Sequence, residues 1–228
     1  MKSMIKAAIA TTILGMATIS YTFAAETQKP TVVLVHGAFS DGSAWSKVIP
    51  LLQDKGVNVV AVQNPLSSLS DDVKAAQRVL DMQKGPVVLV GHSWGGVPMT
   101  QVGQQDKVKA LVYVAAFAPS EGQSVVDVSK DYPTPSGFSH LVADKDGFVT
   151  LSLEGVQKHL APDVAAKQTR LMFATETPTN SHNFEEKESA RLYASTCCTG
   201  SNGKKNLSTC YNAASRAYAT YFSTQSSR

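Results

Sequence analysis

The motif Gly91-His92-Ser93-Trp94-Gly95-Gly96 directly follows the apolar run Pro86–Val90 (PVVLV) and precedes a segment of helical character. Such a run of aliphatic residues is typical of a strand that is buried on both faces. A strand, the pattern G-x-S-x-G and a helix together form a nucleophile elbow. Gly91 and Gly95 flank Ser93 without Cβ atoms, so the chain can turn sharply at the serine. We therefore predict that Ser93 is a nucleophile.

The same turn predicts one half of an oxyanion hole. The helix that follows Ser93 places its N-terminal N–H groups, including that of Trp94, where a negative oxygen would form. A second N–H is expected from the segment after the first strand, His36-Gly37-Ala38-Phe39. Gly37 lets the backbone approach a substrate, and the donor is the N–H of Ala38 or that of Phe39.

Two histidines next to these motifs have a structural interpretation. His36 is expected to orient the loop that it begins, with proton transfer as the alternative role. His92 precedes the nucleophile directly, and we expect its side chain to point away from Ser93.

Apolar strands alternate with amphipathic helices over the first half of the chain. We predict four strands, at Thr31–His36, Val57–Val62, Pro86–Val90 and Val108–Phe117. Helices are predicted between them, at Ser43–Lys55, at Ser70–Met82 with Ser70 as its cap, and at Gly95–Gln105. This alternation predicts an α/β fold, an open and mostly parallel sheet with helices on both faces. Ligands bind such sheets at the carboxyl ends of the strands, where Ser93 lies.

Two further segments lack the alternation of strands and helices, and they define a cap and an N-terminal leader. Residues 119–188 carry turn sequences and short helical pieces, so we predict a small cap inserted into one domain that spans residues 30–228. Residues 1–24 resemble a signal peptide in layout, with two lysines, an apolar run, and the small residues Thr22 and Ala24 before the cleavage point. We expect export to a periplasm or the medium, with no stable membrane anchor after cleavage.

Composition narrows the class of protein. The 228 residues are 43% hydrophobic and 17% charged, which suits one globular domain and excludes a disordered chain. The net charge is +3 without a cluster of Lys or Arg, so a nucleic-acid partner is not expected.

Three stretches together resemble a known family: residues 32–45 (VVLVHGAFSDGSAW), 85–98 (GPVVLVGHSWGGVP) and 112–125 (VYVAAFAPSEGQSV). They are similar to the α/β-hydrolase superfamily, and most to its small esterases, which include plant methylesterases, hydroxynitrile lyases and exported bacterial relatives. The resemblance extends over residues 30–190. It implies hydrolysis of a small carboxylic ester through an acyl-enzyme at Ser93, without a metal or an organic cofactor.

The tail of the chain departs from that family. Residues 189–228 contain no Asp, Glu or His, whereas the family places an acid and then a histidine base there. By resemblance, Gly203 takes the place of the acid and Arg228 that of the base, and the last strand and helix are incomplete. Three explanations of this tail remain open. The gene carries a frameshift or an early stop, its reading frame is misrecorded, or the protein is a non-catalytic descendant of the family. His140, His159 and His182 follow Ser93, but we expect each to be a surface residue of the cap.

Two functions therefore remain as alternatives. The first is a serine-dependent esterase, and the second is a hydrolase-fold remnant that binds a ligand without turnover. A lyase of the hydroxynitrile type needs the same histidine. The three cysteines, Cys197, Cys198 and Cys210, could form one disulfide in an oxidising compartment.

Overall fold

The computed structural model describes residues 29–190 and the backbone of Cys197 and Cys198. The predicted signal peptide, most of the atypical tail, and the possible pairing of the cysteines lie outside the described residues. The domain boundaries given above therefore stay predictions.

A parallel sheet forms the centre of the molecule. Its strands are β1 (Thr31–Val35), β2 (Asn58–Ala61), β3 (Val87–Ser93) and β4 (Val108–Ala116). They lie in the order β2-β1-β3-β4, and the short strand Cys197–Cys198 pairs with the far side of β4. Since every pairing is parallel, the carboxyl ends of all the strands meet at one edge. The predicted α/β fold with an open, mostly parallel sheet is confirmed.

Six helices are described between and after these strands. They are α1 (Val48–Gln53), α2 (Leu69–Asp81), α3 (Gly96–Val102), α4 (Val125–Ser129), α5 (Leu153–Gly155) and α6 (Ala166–Ala174). Shorter helical turns occur at Gly42–Trp45, Val156–Leu160, Ser136–His140 and Ser181–Phe184. No helix in this described part of the chain is long and apolar enough to cross a membrane.

The boundaries of three helices differ from the prediction, and one of them is α3, which spans Gly96–Val102 instead of Gly95–Gln105. The helix expected at Ser43–Lys55 is split, and α1 begins only at Val48. Pro50 lies in the first turn of α1, where a residue without an N–H is tolerated, and it could not lie in the middle of a longer helix. The N-cap residue of α2 is Ser68 rather than Ser70. The backbone of Ser68 is extended, and its side chain accepts the N–H of Asp71.

The core lies between the sheet and the helices α2 and α3. Its centre is the inward side of β1 and β3, where Val33, Val35 and Leu89 have no exposed surface. Leu80 of α2 and Met99 of α3 cover these residues and are equally buried. This packing holds β3 rigidly, and β3 carries the motif of residues 91–96 at its end.

A second, antiparallel sheet lies within residues 119–188. It consists of β5 (Leu141–Ala143), β6 (Phe148–Leu151) and β7 (Thr179–Asn180), in the order β5-β6-β7. Asp144 closes the turn between the first two strands, since its carboxylate accepts the N–H groups of Asp146 and Phe148, each at 2.9 Å. We call residues 119–188 the cap.

Replacement of Leu89 by alanine should destabilise the fold strongly. Leu89→Ala removes a fully buried side chain from β3 and leaves a cavity, so the free energy of unfolding should fall by about 2–5 kcal/mol. Urea denaturation followed by circular dichroism measures this change. Met82→Ala is the control, because Met82 is 79% exposed and its loss should change stability by less than ~0.5 kcal/mol. Equal effects of the two substitutions would contradict the described core.

Candidate active site

Ser93 is held in a backbone conformation that few non-glycine residues adopt. It is the last residue of β3 and has a φ of +52°, in the left-handed region. Its carbonyl accepts the N–H of Phe117 at 3.0 Å, and the N–H of Gly95 bonds to the carbonyl of His92 at 2.8 Å. Since both ends of the turn are bonded, the strained geometry is fixed, as is common at functional sites.

The glycines around Ser93 allow the turn to pack closely against its neighbours. A Cβ on Gly91 would lie 2.7 Å from Sδ of Met99 and 2.8 Å from the carbonyl oxygen of Gly95. A Cβ on Gly95 would overlap the carbonyl oxygens of Val35 and His36 at the end of β1. The G-x-S-x-G spacing therefore lets the turn touch both α3 and the neighbouring strand.

The loop after β1 lies directly beside the serine. A Cβ on Gly37 would be 2.8 Å from the Cβ of Ser93, so the backbone of this loop and the nucleophile candidate are in contact. Phe39, two residues later, has a φ of +58°. The end of β1 and the end of β3 thus form one continuous site.

The two alternatives for the second oxyanion donor differ in their bonding. The N–H of Phe39 donates to Oγ1 of Thr179 in the cap at 3.1 Å, so it is already used. Within residues 29–190, no acceptor is bonded to the N–H of Ala38 or to that of Trp94. Ala38 and Trp94 therefore offer two available N–H groups on the two loops that meet at Ser93.

His36 is fully buried and uses both of its ring nitrogens. Nε2 accepts the N–H of Asn64 at 2.9 Å, so Nδ1 carries the hydrogen and donates to the carbonyl of Gly37 at 2.9 Å. The side chain of Asn64 donates in turn to the carbonyl of His36 at 3.1 Å. Burial lowers the pKa of His36 and favours this neutral ring. The residue orients the loop, and its bonds leave no nitrogen for proton transfer.

The side chain of His92 lies beside the same loop, since a Cβ on Gly37 would be 3.3 Å from its Nδ1. Its ring lies edge-on to Trp45, with ring centres 6.5 Å apart and an interplanar angle of 89°. Burial lowers the pKa of His92, and the nearby His36 lowers it further. A neutral ring here supports the turn by packing.

The buried carboxyl group of Asp72 supports Trp94, the residue that follows Ser93. The Nε1–H of Trp94 donates to Oδ2 of Asp72 at 2.7 Å, and the N–H of Leu66 donates to Oδ1 at 2.8 Å. Asp72 and Trp94 have no exposed surface. Burial raises the pKa of Asp72 to about 6, although these two hydrogen bonds act in the opposite direction. In the sequence, Asp72 is one of two adjacent acidic residues near the start of a predicted helix, and no motif marks it.

Residues 179–186, here called the strap, connect the cap to the loops beside Ser93. The carbonyl of Leu66, a residue with a φ of +57°, accepts the N–H of Asn180 at 2.9 Å and the side-chain N–H of Asn183 at 3.1 Å. The carboxylate of Glu186 accepts the N–H of Leu69 at 2.9 Å. Phe184 packs edge-on against Trp94, with ring centres 5.7 Å apart. No sequence motif marks these contacts.

The cap histidines bind to other parts of the cap. His140 and His159 stack with ring centres 4.3 Å apart, and Nδ1 of His159 is 2.8 Å from Oγ of Ser136. His182 is exposed and lies 3.7 Å from the carboxylate of Glu185. The described contacts of these three residues are thus all within the cap.

The comparisons with known proteins agree with this geometry. A sequence profile described as the alpha/beta hydrolase family matches residues 32–217. The chain therefore belongs to the alpha/beta hydrolase family.

Curated relatives come from the small-esterase branch. Methylesterase 2 of Arabidopsis thaliana is 32% identical over 132 residues, which cover 50% of this chain and 50% of that protein. The pyrethroid hydrolase of Sphingobium wenxiniae is 30% identical over 104 residues, or 40% and 37% of the two chains. An alpha-hydroxynitrile lyase of Arabidopsis thaliana is 31% identical over 102 residues, or 38% and 40%. The chain thus matches half or less of the length of these relatives.

Solved structures show the same fold. An extracellular alpha/beta-hydrolase from a Paenibacillus species is 22% identical, with a TM-score of 0.61 over 74% of this chain and 76% of that one. A variant of tomato methylketone synthase I is 14% identical, with a TM-score of 0.62 over 82% and 84%. At these identities the likeness defines the fold.

The carboxyl of Asp72 should make stability depend on pH. Its pKa of about 6 in the folded protein exceeds the ~3.9 of an exposed aspartate, so folding favours the protonated form. That contribution is complete below pH ~4 and is lost as the pH rises through about 6. Asp72→Asn, which does not titrate, should therefore reduce the fall in unfolding free energy between pH 4 and 7, measured by urea denaturation.

Asp71→Asn is the matched control for this measurement. Asp71 neighbours Asp72 in sequence but is exposed, and hydrogen bonds from Ser67 and Ser68 lower its pKa. Its contribution is lost only as the pH falls through that lowered pKa, so the fall between pH 4 and 7 should persist in this variant. An unchanged pH dependence in Asp72→Asn would show that Asp72 does not titrate in this range.

Proposed function

We propose that this protein is a carboxylester hydrolase in which Ser93 is the nucleophile and an acyl-enzyme is the intermediate. The observation that carries the proposal is the pair of available N–H groups, on Ala38 and Trp94, at the strained turn of Ser93. A serine at a fixed turn with two N–H donors from two loops is the arrangement that stabilises the oxyanion formed in acyl transfer.

The proposed reaction uses the described geometry as follows. Oγ of Ser93 attacks the ester carbonyl carbon and forms a C–O bond, while the hydroxyl proton passes to a base. The carbonyl oxygen becomes an oxyanion, which the N–H groups of Ala38 and Trp94 stabilise. The C–O bond to the alcohol then breaks, and the base gives the proton to the leaving alcohol. Water adds to the acyl carbon and passes a proton to the base, the bond between the acyl carbon and Oγ breaks, and Oγ regains a proton as the acid leaves.

The substrate class is proposed from the relatives together with the site. The curated relatives include methylesterases, a pyrethroid hydrolase and a carbendazim hydrolyzing esterase. Aromatic side chains, Phe39, Trp94 and Phe184, pack together at the site. We propose a small, apolar carboxylic ester as the substrate.

A specific observation favours a second candidate, a protein that binds the ester without turnover. A serine hydroxyl is a weak nucleophile until an adjacent base activates it. The three histidines that follow Ser93 bond within the cap, and residues 189–228 contain no histidine. In this candidate, the oxyanion site binds the ester carbonyl and the reaction stops there.

Replacement of Ser93 separates the two candidates. If Ser93 forms an acyl-enzyme, Ser93→Ala should lower p-nitrophenyl acetate hydrolysis by at least ~10³-fold. It should also prevent labelling by a fluorophosphonate, read as the mass added to the intact protein. Ser139→Ala is the matched control, since Ser139 is an exposed cap residue whose hydroxyl donates to the carbonyl of Ser136.

A non-catalytic protein would give a different pattern. Hydrolysis would be slow and equal in the parent and in Ser93→Ala, and neither protein would be labelled. A small ester would still bind, as isothermal titration calorimetry would detect. That combination would contradict the hydrolase proposal and support the second candidate.

We further propose that the protein is exported and that residues 1–24 are removed. The layout of those residues supports this proposal, as does a similar fold in an extracellular Paenibacillus hydrolase. Expression in a secretion-competent bacterium should give a protein that begins at Ala25, as N-terminal sequencing would show. Ala24→Lys should block cleavage because signal peptidase requires a small residue there. Retention of Met1 in the parent would contradict the proposal.

A further inference from the structure

We propose that Thr179 of the cap is a positioning residue for the oxyanion hole. Its hydroxyl holds the loop that carries the N–H of Ala38, so the cap determines the geometry at the reacting carbonyl. This inference rests on the proposed role of Ser93 and Ala38. It assigns to a residue of the cap a part in the turnover rate, beyond any part in substrate binding.

The contact joins two segments that are far apart in the sequence. Oγ1 of Thr179 accepts the N–H of Phe39 at 3.1 Å across 140 residues. Thr179 has no exposed surface, and Phe39, which donates the bond, is half-buried. Its backbone is fixed as well, because Thr179 belongs to β7 and is paired with Val149 of β6. A rigid acceptor therefore faces a loop of unusual geometry.

That loop needs an external partner to keep its conformation. Phe39 has a φ of +58°, and a bulky residue reaches this region only at an energetic cost. The peptide between Ala38 and Phe39 is planar, so the bond to the N–H of Phe39 fixes the orientation of that whole unit. Only two rotatable bonds, those given by φ and ψ of Ala38, lie between this planar unit and the N–H of Ala38. Release of Phe39 would therefore allow the N–H of Ala38 to turn away from Ser93.

The rest of the strap acts on the other side of the same site. Its residue Phe184 contacts the ring of Phe39, with centres 6.5 Å apart, as well as that of Trp94. Asn180 bonds to the carbonyl of Leu66, whose N–H is held by Asp72 beneath Trp94. The strap thus touches both loops that supply the two oxyanion donors. Within it, Thr179 makes the hydrogen bond to the donor loop after β1.

The test compares two variants of Thr179, one that loses the hydroxyl group and one that retains it. Thr179→Val keeps the shape of the side chain and removes the acceptor, whereas Thr179→Ser keeps the acceptor. An oxyanion donor acts mainly in the transition state, so Thr179→Val should lower kcat by about 10-fold with KM within about twofold. Thr179→Ser should restore kcat to within about twofold of the parent. p-Nitrophenyl acetate is the substrate. If Thr179→Val raises KM and leaves kcat unchanged, the proposal is overturned.

Thr169→Val is the matched control variant. Thr169 is a buried cap threonine, 1% exposed, and its hydroxyl donates to the carbonyl of Ala166 in its own helix. Loss of this hydroxyl removes a buried polar group from the cap without touching the loop after β1. Its kcat should stay within about twofold of the parent. An equal loss in both variants would mean that general damage to the cap, and not positioning, lowers the rate.

A second measurement does not depend on activity. In amide NMR spectra, the amide hydrogen of Phe39 should exchange with solvent at least about 10-fold more slowly than that of Ala38 in the parent protein. In Thr179→Val, or in Thr179→Ala if the valine variant does not fold, the amide resonances of both residues should move. An Ala38 resonance that stays in place, or rapid exchange of Phe39 in the parent, would overturn the proposal.

The two measurements keep the proposals separable. If Ser93→Ala leaves hydrolysis unchanged, the proposed function fails, and the NMR spectra still decide whether Thr179 positions the loop. If hydrolysis depends on Ser93 and Thr179→Val leaves kcat unchanged, the proposed function stands and the role of Thr179 is wrong.

Discussion

The turn at Ser93 is the constraint on which the rest of the site depends. Three backbone segments meet there: the end of β1, the turn after β3, and the segment that follows β4. Gly95 lies against the carbonyls of Val35 and His36, and the N–H of Phe117 bonds to the carbonyl of Ser93. A Cβ at Gly95 would push the turn away from the end of β1, and a Cβ at Gly91 would collide with Gly95 and Met99 and distort the turn itself. The parallel sheet, with its buried β3, supplies the rigidity that keeps the strained serine in place.

The sequence predicted the parts of the molecule that follow local rules. Runs of aliphatic residues predict the strands, and glycines at fixed spacing around Ser93 predict the sharp turn after β3. The sequence predicts Ser70 as the N-cap residue of α2, whereas the structure has Ser68 there. Several neighbouring serines suit an N-cap, and only the backbone conformation distinguishes them. The split of the helix expected at Ser43–Lys55 depends on Pro50, whose effect the apolar spacing conceals.

The contacts between residues far apart in the chain could not be predicted from the sequence, for a physical reason. A choice between Ala38 and Phe39 as the donor depends on what bonds to Phe39, and that partner lies in the cap. In the same way, Asp72 looks like an ordinary acidic residue at the start of a helix. Its burial beneath Trp94 becomes visible only when helix and elbow are packed together. Such contacts join residues without any common spacing or motif.

The strap has a consequence for how proteins of this architecture could diversify. An inserted cap is often pictured as an interchangeable module that can be replaced to alter selectivity while the scaffold stays constant. Here, the insertion carries acceptors and donors for Phe39, Leu66 and Leu69, all of which belong to the scaffold. A graft that exchanges residues 119–188 as one block would also exchange those partners. Chimeras that retain residues 179–186 from the recipient would keep scaffold and insertion matched, so recombination is constrained to break points before Thr179.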